Sequence, residues 1–140
     1  MATELTDTQT DRSPLSVEGQ HFEITHAVTF EAAHFMENQP EGHAYRNVHG
    51  HSFRLEVSVA GRVQRGAEWV QDFADLSAIL GAVAAELDHK LLNDIKGLEV
   101  PTLERICLWV ANRLQADLPG LRSVTLSRPS LNESCRLLLD

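Results

Sequence analysis

Between His21 and His34 the even positions are Phe22, Ile24, His26, Val28, Phe30, Ala32 and His34, a period of two that predicts a strand with one buried face. A second strand opens near Val48. It carries His49, His51, Phe53, Leu55, Val57 and Val59 on one side, while Arg54, Glu56 and Ser58 alternate to the other. The segment between them, MENQPEGHAYRN, has the Pro, Gly and Asn content of a functional loop. Gly61 to Gly66 reads as a turn leading to a third short strand over Glu68 to Asp72.

The period then changes. Leu76, Ile79, Leu80, Val83 and Leu87 recur at helical spacing from Ala74 onward, with Asp72 or Asp75 available as N-cap. A second helix is predicted after Pro101, capped by Thr102, with Glu104 in its first turn and Leu103, Ile106, Val110 and Leu114 as its apolar stripe; Pro119-Gly120 ends it. Leu121 to Ser127 and Cys135 to Leu139 read as closing strands around a PSLNES turn. Residues 1 to 18, rich in Thr, Asp, Ser and Gln, have the composition of a disordered tail, leaving 19 to 140 as a single domain. Strands, two helices and strands again make an α+β fold: a four-stranded antiparallel sheet with the helices on one face. Its free edges invite oligomerisation.

Composition narrows the function classes. No apolar run approaches the ~20 residues a bilayer span needs, and the N-terminal stretch has no apolar signal region. Two cysteines make no disulfide framework, which points to a reducing cytoplasm. A formal net charge of −8 argues against nucleic acid as partner and leaves a small-molecule substrate open, because local charges can reverse the potential inside a cleft.

The histidines carry the candidate chemistry. A single histidine on an apolar face is more often a satisfied core residue than a ligand. Here, however, His34, His49 and His51 all lie on predicted buried faces, and the last two form a His-x-His pair whose Cα atoms are roughly 6 to 7 Å apart on one side of a strand. Three buried imidazoles without partners would cost several kcal/mol, whereas three ligands with a fourth position open are the usual set for a catalytic zinc. His21 and His26 lack that geometry, and His43 lies in the loop. His89 follows Asp88 where the first helix ends, a combination suited to acid/base work, although adjacent residues seldom bond one another directly.

FEAAH at 30–34, EGHAYRNVHGHSF at 41–53, QDFADL at 71–76, LDHKLLND at 87–94 and PTLE at 101–104 together resemble the 6-pyruvoyl-tetrahydropterin and 6-carboxy-tetrahydropterin synthase family, in order and spacing, from about residue 21 to 128. The resemblance implies a T-fold, whose sheets join into an oligomeric barrel of trimers or hexamers with active sites between subunits. It implies zinc on His34, His49 and His51, acting on a side chain like that of 7,8-dihydroneopterin triphosphate. Asp88 and His89 match the family's proton-moving pair, and Thr102 and Glu104 of PTLE match substrate-contacting positions. Two positions depart. Tyr45 stands where the catalytic cysteine is expected, and Pro129 where the glutamate that anchors the pterin is expected, with Glu133 the nearby carboxylate. A phenol of pKa near 10 is a poorer base than a thiol of ~8.5, so Tyr45 suits hydrogen-bond donation, with His89 or a zinc-bound hydroxide as the base.

The expected function is therefore a zinc-dependent lyase acting on a dihydropterin side chain. The alternatives are a diverged zinc enzyme of a specialised pathway with a non-pterin substrate, and a non-catalytic metal-binding relative.

Overall fold

The structure is a computed structural model that describes residues 13–140. The expected N-terminal tail falls mostly outside them; its described end, 13–18, has no helix or strand and is largely exposed. Four long strands pair antiparallel as the period-two series requires: β1 (His21–His34), β2 (His49–Arg62), β4 (Leu121–Arg128) and β5 (Glu133–Leu138). The helices are α1 (Phe73–Leu87) and α2 (Leu103–Leu114). The sheet has five strands, ordered β3-β1-β2-β4-β5, because β3 (Lys90–Leu91) adds a two-residue parallel pairing against Ala32 and Ala33. So short a strand leaves no period in the sequence.

Two boundaries differ from the sequence expectation. Glu68 to Asp72 is not a strand. Asp72 accepts a hydrogen bond from the Ala74 N–H at 2.9 Å as N-cap of α1, Trp69 is 60% exposed, and the segment joins sheet to helix without pairing into a strand ladder. Helix α2 ends at Leu114, ahead of Pro119, and the turn that follows buries Leu118. Gly120 then brings β4 against β2. A Cβ there would collide with the Ala60 carbonyl oxygen, next to the register shift at Ser58/Val59.

One face of the sheet forms the core. Phe30, Phe53, Leu55, Val57, Val124 and Leu126 meet Leu76, Leu80 and Leu87 of α1 and Ile106, Val110 and Leu114 of α2, all at most 2% exposed. The stripes predicted for both helices are thus buried, except that Ile79 and Leu103 are half-buried against the core. Burying a side chain of this size contributes ~1.5–3 kcal/mol, so this layer anchors the sheet end where the histidines lie. Both cysteines are free, Cys107 buried and Cys135 half-buried. Among the described residues, no helix is long and apolar enough to cross a membrane.

Candidate metal centre and active site

The β1–β2 register builds the histidine cluster. His34 lies directly opposite His49, and His51 lies opposite Ala32. Paired residues of an antiparallel ladder project to the same face, as do residues two apart on one strand, so all three rings emerge on the helix-covered side. Ring centroids are 4.6 Å apart for His34–His49, 5.0 Å for His34–His51 and 4.9 Å for His49–His51. Phe53 closes the floor, 5.5 Å from His51, and stacks on Phe30 at 5.1 Å.

Two rings are held by backbone carbonyls. His34 Nδ1 is 3.0 Å from the oxygen of Pro101, just before α2, and His49 Nδ1 is 2.7 Å from the oxygen of Asn47. A carbonyl can only accept, so each Nδ1 carries the proton and each Nε2 keeps its lone pair, the tautomer a metal ligand needs. The Nε2 atoms of His34 and His51 are buried without a partner among the described residues, and one ligand atom from each of the three histidines lies within 4.8 Å of the others. These residues fit a metal ion. Burial lowers the His34 pKa to about 4, partly offset by the Pro101 carbonyl and reinforced by the other two histidines and Arg128. Burial also lowers that of His51, followed by the charge of Arg128. Both rings are neutral near pH 7.

A cleft of about 230 Å³ opens beside the cluster, lined among others by His34, His49, Tyr45, Thr102, Glu104 and Arg128. Tyr45 lies in a 3-10 turn (Ala44–Arg46) capped by His43, whose ring it packs against at 4.6 Å. That gives His43 a structural role in the loop. Thr102 Oγ1 accepts from the Arg105 N–H at 3.1 Å, so its hydroxyl proton remains available to the cleft. Asn93 clamps the start of the loop, accepting from Phe35 N at 3.0 Å and donating to Phe35 O at 2.8 Å.

Asp88 and His89 are elsewhere. His89, with Asp88 bonded to its ring, borders a second, wider cleft of about 620 Å³ that also includes Glu31, Ser52, Lys90 and His51. Contrary to the expectation for adjacent residues, they bond each other: His89 Nδ1 is 2.9 Å from Asp88 Oδ2. The chain turns here. Asp88 ends α1, His89 adopts a left-handed φ of 56°, and its N–H donates to the Glu31 carbonyl oxygen at 2.6 Å. Asp88 Oδ1 accepts from the Glu31 N–H at 2.9 Å, and that bond, followed by the His89 ring, holds its carboxyl below the usual range. Tyr45, Thr102 and Glu104 therefore gather at the first cleft with His34 and His49, and His89 lies at the second with His51.

Arg128 was not singled out by the sequence reading. Pro129 opens the 3-10 turn after β4, and Arg128 is the residue at the end of this strand that lines the cleft. Glu133 is its register partner, with Oε2 2.6 Å from Arg128 Nη2. A signal existed: Val124, Leu126 and Arg128 share one side of β4, which puts a cation at a core-facing position.

The sequence matches the family model described as 6-pyruvoyl tetrahydropterin synthase over residues 23–138. Curated relatives include a dihydroneopterin monophosphate aldolase of Pyrococcus furiosus, 39% identical over 79% of this chain and 88% of the relative. A 6-carboxy-5,6,7,8-tetrahydropterin synthase of Synechocystis is 47% identical over 69% of this chain and 78% of the relative. Among solved structures, 6-pyruvoyl tetrahydropterin synthase of Caenorhabditis elegans superposes with a TM-score of 0.77 at 21% identity, covering 88% of this chain and 99% of that one, so the fold is shared. On that match across nearly all the described residues, the chain belongs to the 6-pyruvoyl tetrahydropterin synthase family.

Proposed function

We propose that the protein is a zinc-dependent lyase acting on the side chain of a dihydropterin of the 7,8-dihydroneopterin triphosphate type. The observation that carries this reading is the cluster of three imidazoles at one sheet end, two of them with buried Nε2 atoms that have no partner in the protein. Two curated relatives support the substrate class by their names. Three imidazoles suit zinc and would leave a fourth position for substrate; a bound ion would supply Lewis-acid polarisation of a side-chain oxygen, acidifying the neighbouring C–H.

The chain's own residues divide the remaining work. His89, oriented by Asp88, takes a proton from the substrate side chain and returns it. Tyr45, 6.2 Å from His49 between ring centroids, donates a hydrogen bond at the mouth of the cleft. Thr102 and Glu104 offer a donor and an acceptor to the substrate's polar groups, and Glu133 is held at the edge by Arg128. A homo-oligomer, joined through the sheet edges left by β3 and β5, supplies the second wall that the open Asp88–His89 cleft lacks in a single chain.

The test is metal content by mass spectrometry, followed by incubation of the metal-loaded protein with 7,8-dihydroneopterin triphosphate and monophosphate. The expected result is one zinc per chain and, by mass, loss of triphosphate or release of a side-chain fragment. A metal-free, inert protein would instead identify a non-catalytic relative. A second reading, a non-pterin substrate handled by the same zinc chemistry, is favoured by Arg128 at the cleft and by Tyr45. A metal-loaded protein that neither binds nor converts either pterin would select it.

A further inference from the structure

Arg128 lines the smaller cleft with only part of its hydrogen-bonding capacity used. Its side chain is 19% exposed, and Nη2 is engaged by Glu133 at 2.6 Å. Nε is buried with no partner among the described residues. A guanidinium carries five N–H donors in a rigid plane, and burying them without acceptors is costly. In the same cleft stand two imidazole ligands and the hydroxyls of Tyr45 and Thr102.

The local charge points the same way. The three histidines are neutral ligands, so a divalent ion held by them would keep its full charge. That ion and Arg128 face two carboxylates, Glu104 on the cleft wall and Glu133 on the guanidinium. One positive charge is left over in a chain whose net charge is −8. A bound anion removes that excess, and a planar fork matches the two oxygens of a carboxylate or phosphate.

We propose that Arg128 is an oxyanion-binding, specificity-determining residue that takes a carboxylate or phosphate group of the substrate beside the three-histidine centre. Glu133 is its positioning residue, fixing the plane of the guanidinium through Nη2. The inference rests on reading this cleft as the substrate site and deepens it by stating the ligand's chemistry: at least one anionic group within reach of the metal centre.

The experiment is equilibrium binding to the zinc-loaded full chain, read by pterin fluorescence, with three stable oxidised probes. These are neopterin, its monophosphate and 6-carboxypterin; the last two separate phosphate from carboxylate. The wild-type protein is expected to prefer one anionic probe over neopterin by about tenfold or more, as a charge-assisted pair implies. Arg128→Gln should remove the preference while leaving neopterin affinity and zinc content unchanged. Arg128→Lys, which keeps the charge and loses the fork, should retain a weaker preference and guards against a Gln variant that fails to fold. If the preference survives in Arg128→Gln, or the wild type binds neopterin with no preference, the proposal is overturned. If no pterin binds at all, the pterin reading fails separately. Calorimetry with inorganic phosphate and with acetate then decides: binding weakened in Arg128→Gln upholds the oxyanion role, and equal or absent binding in both proteins removes it.

Discussion

The two clefts that border the three-histidine cluster are built in opposite ways. The cluster comes almost entirely from one hairpin, its rings set by a register in which His34 faces His49, with His34 only 1% exposed. The Asp88–His89 cleft draws on β1, β2 and the turn after α1, and its pair lies open, with side-chain exposures of 42% and 77%. Burial holds the first site's His34 in place and keeps His34 and His51 neutral. Exposure leaves the second open to solvent, although Asp88, His89 and Ser52 are all tied to Glu31. One region is closed in by the chain itself, and the other stays open to solvent on one side.

Removing a ligand should break the contrast most severely. His34→Ala takes away the most buried ring together with its link to Pro101, and should reduce bound zinc to near zero and turnover by more than about a hundredfold. Full metal occupancy in that variant would refute the ligand assignment. His89→Ala should act on the other cleft only, lowering turnover by about 10²–10⁴-fold while zinc content, measured on the same sample, is unchanged. Unchanged turnover would take His89 out of the mechanism.

The smallest effect separates the clefts by pH. In metal-free protein the His34 pKa is about 4, against 6.5 for an ordinary histidine, so between those values the unfolded chain binds a proton that the folded chain does not. Stability should therefore rise with pH from about 4 to 6.5, by roughly 3 kcal/mol at most from this group, and level off above. Asp88, with its carboxyl already held low, adds to acid loss only below that window. Urea unfolding of chelator-treated protein across pH 4–7 measures this, and a flat profile would exclude a buried neutral His34.

Several parts of this organisation were legible as pattern. The period-two series placed His34, His49 and His51 on one face with Phe30 and Phe53, and helical spacing found the stripes of α1 and α2 with Thr102 as cap. What escaped had no local period. β3 is two residues long, Glu68–Asp72 has strand composition but pairs with no strand, and the Asp88–His89 bond depends on a left-handed turn at His89.

The deeper division follows from the range of the interactions. Alternation along a strand decides which face a side chain takes, because successive Cβ atoms must point to opposite sides, and so the three-histidine set is a property of the sequence. Tertiary structure decided which groups meet at each site. The Pro101 carbonyl on His34 joins residues 67 apart in the chain, and Arg128 reaches the cluster only because β4 pairs with β2. Asp88 and His89 are separated from Tyr45 by the turn after α1 and the pairing of β3 with β1. Such meetings depend on how distant segments pack, and spacing along the chain does not encode them.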